Sequence, residues 1–144
     1  MAEAISKRLR DIVDALPLRD GLRVVEIGCG TGSAAREIAK RIKGGYILRI
    51  DRSKVAITKA LESSQHANVT SKMDFIHSFI ENFELPGSSE LFDIAFAVRV
   101  GALDGRHPEI EAAALKSIKA LLKPGGKLFV DGGNPLKEVN LSKV

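Results

Sequence analysis

The chain has 144 residues with 22 Lys and Arg against 18 Asp and Glu, a formal charge of +4, 44% hydrophobic and 28% charged residues. That is the size and composition of one globular domain, residues 1–144, with room for one sizeable core but not two. No apolar run approaches the ~18 residues of a membrane span, the first residues lack the apolar segment of a secretory signal, and a lone Cys29 leaves no intrachain disulfide, so a cytoplasmic protein is expected.

Residues 3–16 place Ile5, Leu9, Ile12, Val13 and Leu16 on one stripe, which predicts an amphipathic helix ended by Pro17 and the Arg-Asp-Gly of 19–21. Val24, Val25 and Ile27 suit a buried strand, followed by glycines at positions 28, 30 and 32. Ala35, Ile38, Ala39 and Ile42 then share a helical face. Tyr46–Asp51 reads as a second strand, about Ser53 to Ser63 as a helix, and 73–77 as a third strand. After a loop holding Pro86 and Gly87 comes a fourth strand over 93–98. Pro108 opens a helix at its first turn, with Glu109 and Glu111 well placed against the helix dipole. Ile110, Ala114, Ile118, Leu121 and Leu122 give it a buried face, and Lys123-Pro-Gly-Gly126 stops it before a fifth strand over 127–131. Strands alternating with helices predict an α/β fold, a doubly wound and mostly parallel sheet with helices on both faces.

The stretch 24–32, Val-Val-Glu-Ile-Gly-Cys-Gly-Thr-Gly, carries the chemistry. Glycine without Cβ lets the backbone take positive φ and approach a ligand, and the strand, turn and helix start together aim N–H groups at one corner. The bland alternative is a tight strand-to-helix turn with no ligand. The dinucleotide pattern G-x-G-x-x-G/A would put its third small position at Ser33, whereas the third glycine here comes one residue early, at Gly32. A nicotinamide-dependent oxidoreductase is therefore a remote reading. Asp51 ends the second strand nineteen residues after Gly32, where ribose hydroxyls sit in such folds. An ionised carboxylate accepts both donors of a vicinal diol. Asp51 also has a capping role open to it, but Ser53 competes for that cap and would leave Asp51 to a ligand.

The pattern E-x-G-x-G-x-G resembles the glycine motif of the class I S-adenosylmethionine-dependent methyltransferases. Phe92-Asp-Ile-Ala-Phe-Ala looks like that family's fourth-strand motif, and Leu121-Leu-Lys-Pro-Gly-Gly-Lys-Leu is similar to its turn before strand five. The resemblance covers nearly the whole chain and implies strand order 3-2-1-4-5, with S-adenosylmethionine across the ends of strands 1, 2 and 4 and S-adenosylhomocysteine as product. It implies that Glu26 helps hold the cofactor through its amino group and that Gly28, Cys29, Gly30 and Gly32 cradle it. Asp51 would hold the ribose, and Arg52, Ser78, Phe79, Ala97 and Arg99 complete the expected cofactor-binding set. Cys29 reads as a small residue in a crowded turn rather than a nucleophile.

Two departures from the family stand out. Phe79 occupies the position where the family often has an acid for the adenine amino group, and an aromatic there either packs on the purine or joins the core. Thirteen residues follow Asp131, too few for the family's usual helix and antiparallel hairpin, so the sixth and seventh strands should be missing. At most 138–144 would add a short edge strand. An uncovered strand five would pair with another chain, which predicts a homodimer through that edge or the C-terminal tail.

Methyl transfer to a nucleophile is an in-line displacement that needs positioning first and a base only for weak nucleophiles. Asp104 and His107 are candidate bases, though both also suit a turn and a helix start. Arg99 would meet the cofactor carboxylate, an anionic substrate or a surface acid. No clustered His and Cys point to a metal. The Asn or Asp followed by Pro-Pro of nucleic-acid amino-methylating relatives is absent after strand four. Lys116, Lys119 and Lys123 sit at the spacing of a solvated face, and with no Trp and one Tyr there is little to stack on bases. A small-molecule acceptor is expected, with a non-catalytic binding module as the alternative.

Overall fold

The structure, a computed structural model, describes residues 5–28, 32–64, 71–87 and 89–144. Its elements are α1 (Lys7–Ala15), β1 (Arg23–Gly28), α2 (Ser33–Arg41), β2 (Tyr46–Asp51), α3 (Lys54–Ser64), β3 (Lys72–His77), a 3-10 turn (Ile80–Asn82), β4 (Phe92–Val98), α4 (Pro108–Leu121), β5 (Leu122–Asp131) and β6 (Leu136–Val139). The sheet order is β3-β2-β1-β4-β5-β6; all pairs are parallel except β5 with β6.

Period-two alternation sorts the central strands between two cores. Val25, Ile27, Leu48, Ile50, Ala95 and Ala97 face Ala114, Ile118 and Leu121 of α4. Val24, Ile47, Ile94 and Phe96 face Ile12 and Val13 of α1 and Ala35, Ile38 and Ala39 of α2. These strands are covered on both sides, so they read as near-continuous apolar runs. The polar residues that interrupt them, Glu26, Arg49 and Asp51, lie in register with the α2-side residues.

Local chemistry sets the helix ends. Ser6 Oγ accepts the Leu9 N–H (3.2 Å) at the start of α1, and Ser53 Oγ accepts the Ala56 N–H (3.1 Å) before α3. Pro108 occupies the first turn of α4. The lysines 116, 119 and 123 are exposed, as the solvated-face reading requires.

The C-terminal end differs from expectation. A sixth strand does form, earlier than 138–144, pairing Asp131 with Leu136 through Leu128 with Val139. β5 is therefore covered by its own chain over Leu128–Asp131, so the strand-five edge invoked for a homodimer is not left open there. β5 also begins at Leu122, which pairs with Phe92 before a register shift carries Ile94 opposite Lys127. The Lys-Pro-Gly-Gly segment thus bulges beside the sheet rather than merely preceding it. Among the described residues, no helix is long and apolar enough to cross a membrane.

Candidate functional site

β1 lies between β2 and β4, and the chain leaves these neighbours in opposite directions. That is the switch point where open α/β sheets bind ligands, outside the carboxyl ends of their strands. Gly28 pairs there with Val98. A cavity of about 210 Å³ opens at this end, with Gly28, Asp51, Arg52, Ser78, Arg99 and His107 among its lining. Gly28 has φ +138°, and a Cβ on it would stand 2.8 Å from the Val98 carbonyl oxygen. Gly32, φ +85°, caps α2, and a Cβ there would press on Ala60 and Arg36 at 3.1 Å. Cys29 and Gly30 lie outside the described residues.

Next to Gly28 is a buried charge cluster. Glu26 is 8% exposed, and its Oε1 has no hydrogen-bond partner among the described residues. Burial pushes the Glu26 carboxyl above its ordinary range; Arg49 opposes that rise and Asp51 adds to it. Arg49, 1% exposed, donates from Nη2 to Asp51 Oδ2 (2.8 Å) and to the Gly28 carbonyl (2.9 Å), while its Nε lies 3.6 Å from Glu26 Oε1. Asp51 Oδ1 accepts the Ser53 N–H (2.9 Å).

Ser53 thus caps α3 as expected, but Asp51 is not left unengaged: each of its oxygens already has a partner. The reason is Arg49, two positions earlier on the same strand face, which sequence reading passed over. Period-two parity with Asp51 in an otherwise apolar strand was the signal that could have found it.

The other expected residues divide. Ser78 lines the cavity and its N–H donates to the Asp51 carbonyl (2.9 Å). Arg52 also lines it and lies over the Phe79 ring at 5.4 Å. Phe79 is 41% exposed, so it does not join the core. Its neighbour Ile80 supplies the buried apolar wall instead. Ala97, expected at the ligand, is instead packed into the α4-side core at 1% exposure. Parity puts it on the same face as Ile27, its register partner, and Ile50, both of which reach the cavity; Ala97 itself is covered by the α4-side packing.

Arg99 lines the cavity with φ +55°, a conformation that non-glycine residues rarely hold. Asp131 Oδ1 accepts its N–H (3.2 Å) and Arg106 Nη2 donates to its carbonyl (3.1 Å), so β5 and the loop before α4 fix that backbone. Asp104 is engaged by Arg106 Nε at 2.7 Å. His107 borders the cavity, packs against Gly101 and has Nδ1 3.3 Å from Glu109 Oε1. No group of three or more potential metal ligands occurs among the described residues.

Comparison with known proteins agrees with this architecture. A family model described as a methyltransferase domain matches residues 24–126. The chain is 27% identical over 128 residues to sterol 24-C-methyltransferase ERG6A of Gibberella zeae, covering 86% of this chain and 31% of that protein. It is 30% identical over 143 residues to O-methyltransferase rstn1 of Aspergillus nomiae, covering 95% of this chain and 60% of that protein. The chain therefore spans less than two thirds of either relative. In fold it is similar to the crystal structure of a SAM-dependent methyltransferase from Thiobacillus denitrificans in complex with S-adenosyl-L-homocysteine, at TM-score 0.67 and 24% identity over 88% of this chain and 48% of that one. The model match over most of the chain, on a sheet wound in this order, means that the chain belongs to the methyltransferase domain family, the class I S-adenosylmethionine-dependent methyltransferases.

Proposed function

We propose that the corner at the ends of β1 and β2 binds S-adenosylmethionine and that the chain directs its methyl group to a small-molecule acceptor. The observation that carries this reading is Glu26 Oε1: a buried carboxyl oxygen with no hydrogen bond among the described residues, close in the chain to Gly28, where an added Cβ would crowd the Val98 carbonyl. An acceptor oxygen buried without a donor is costly, and a ligand carrying an ammonium group would supply one. S-adenosylmethionine has that group, a sulfonium and no phosphate, so it suits an acid-lined corner better than a nicotinamide dinucleotide would.

In this reading Glu26 takes the amino group, and Gly28, Cys29, Gly30 and Gly32 form the cradle. Asp51 faces the ribose with the second lone pair of each oxygen. Arg52 and Ser78 flank the same pocket, with Phe79 at its outer margin, and Arg99 meets a carboxylate. When bound, the cofactor supplies an electrophilic methyl group on sulfur. The chain's own part is to hold donor and acceptor in a near-attack arrangement and to keep water from between them. No catalytic residue is assigned: Asp104 is bound to Arg106, and His107 stands at the rim with its Nδ1 towards Glu109.

The relatives, a sterol methyltransferase and an O-methyltransferase by name, support a small-molecule acceptor. A cytoplasmic setting is part of the same proposal, and a single cysteine with no intrachain disulfide to form supports it. A homodimer in this reading uses the outer edge of β6 rather than that of β5; light scattering at micromolar concentration showing only monomer removes it.

Two measurements test the whole. Calorimetric titration should show binding of S-adenosylhomocysteine and none of NAD; the reverse pattern overturns the cofactor assignment. Transfer of a labelled methyl group across a metabolite panel then separates an enzyme from a non-catalytic binding module.

A further inference from the structure

Burying a guanidinium in the middle of a parallel sheet is expensive, and an aliphatic residue at the same place would complete the strand at lower cost. Arg49 nevertheless lies 1% exposed between two cores. Its hydrogen bonds end on groups at the ligand corner: the Gly28 carbonyl, where the glycine turn begins, and the Asp51 carboxylate at the end of β2. The third group in its reach is Glu26 at 3.6 Å, directly opposite it in the β1–β2 register. One planar fork therefore joins the three pieces of backbone and side chain that the ligand would meet. Lysine could not reproduce this, because its donors radiate from a single nitrogen.

We propose that Arg49 is the positioning residue of this corner, orienting Asp51 and the Gly28 carbonyl while leaving Glu26 Oε1, which has no hydrogen bond among the described residues, to the ligand's ammonium group. The inference rests on the reading of the corner as an S-adenosylmethionine site. The charged groups facing Glu26 are Arg49 and Asp51 from β2 and Arg36 from α2, whereas its β4 neighbour is Phe96. Arg49 is the leading influence holding the Glu26 carboxyl down against burial. Without it, Glu26 takes up a proton at higher pH, and an ammonium ligand loses its partner there. An arginine with only a packing role would change stability without moving that titration.

The test compares the wild type, Arg49→Met and Arg49→Lys, using S-adenosylhomocysteine as the probe in calorimetry between about pH 6 and pH 8. Carbon-13 titration of the Glu26 carboxyl is run in parallel on the free proteins. Arg49→Met should weaken binding about tenfold or more, as loss of a supporting partner does at other built sites. The loss should deepen as pH falls, with the Glu26 titration displaced upward. Arg49→Lys should keep the wild-type Glu26 titration but bind more weakly, since the charge stays and the fork is gone. Wild-type affinity and an unmoved Glu26 titration in folded Arg49→Met overturn the proposal. Should that variant fail to fold, wild-type affinity in Arg49→Lys overturns it instead. If the wild type binds no S-adenosylhomocysteine, the cofactor reading fails, while the carboxyl titrations of the free proteins still decide whether Arg49 controls Glu26.

Discussion

The two ends of this sheet treat charge in opposite ways. At the amino ends of the strands, Asp93 accepts the Arg23 N–H at 2.9 Å and the Lys123 ammonium at 3.1 Å. The Arg23 guanidinium lies over Tyr46 and Phe92 at 4.7 and 5.0 Å and donates to the Leu91 and Glu90 carbonyls. Partial burial pulls the Asp93 carboxyl up, but the Arg23 N–H and the lysine outweigh it and leave it below the ordinary range. At the carboxyl ends, Glu26 is sealed beside Asp51 and stays above its range despite Arg49. One end is a satisfied structural network open to water. The other holds a desolvated carboxylate and an arginine in left-handed backbone, features that persist where surrounding structure enforces them and that cluster at functional sites.

If that contrast is right, disturbing the buried end should cost far more than disturbing the open one. Asp51→Ala strands Arg49 without its closest acid, and losing one partner of a buried pair costs about 3–5 kcal/mol. Urea unfolding should show that loss, together with loss of S-adenosylhomocysteine binding. A cost under about 1 kcal/mol would mean that the cluster is effectively solvated.

Glu26→Gln separates function from stability at the same end. It should keep the fold and weaken S-adenosylhomocysteine binding by about ten- to a hundredfold, the equivalent of about 1.4–2.8 kcal/mol. Its pH signature is distinctive because the folded wild type holds the Glu26 proton more tightly than the unfolded chain. Wild-type stability from this group should rise as pH falls from the raised folded value towards the ordinary 4.5 and be absent above it. The variant should lack that slope in thermal unfolding followed across pH; retention of the slope would assign it to another group.

Asp93 should behave with the opposite sign. Its contribution is present above the unfolded carboxylate value and disappears as pH falls through the lowered folded one. Asp93→Asn should cost about 1 kcal/mol at neutral pH and flatten the acid limb of the stability curve. Arg23→Lys, which loses the planar stack on Tyr46 and Phe92, should cost the least, about 0.5–1 kcal/mol. A larger loss from either than from Asp51→Ala, measured in the same denaturant series, would erase the distinction between the ends.

Much of this architecture is legible locally. The α2 stripe of Ala35, Ile38 and Ala39, the Pro108 start of α4 and the apolar strands all follow from spacing, because each element's buried face repeats with its own period. The turn glycines are legible for a related reason: positive φ and close approach at Gly28 and Gly32 leave few other residues to choose from. Phe79 and Ala97 were less so. Whether each meets the cavity depends on which way its strand end or turn rotates, and that is settled by Ile80 and α4 packing beside them.

By itself, the sequence determined a parallel sheet interleaved with helices, a glycine turn at the end of its first strand, and acids at positions 26 and 51. Only the tertiary structure decided that Asp51 would already be held by Arg49, that β6 would fold back to cover β5, and that Arg99 would stand in left-handed backbone at the cavity. The physical reason is the range of the interactions. A periodic pattern assigns a side chain to a face from its near neighbours alone. Which charge lies opposite which is fixed by register between strands distant in sequence, and so by the packing of the whole sheet.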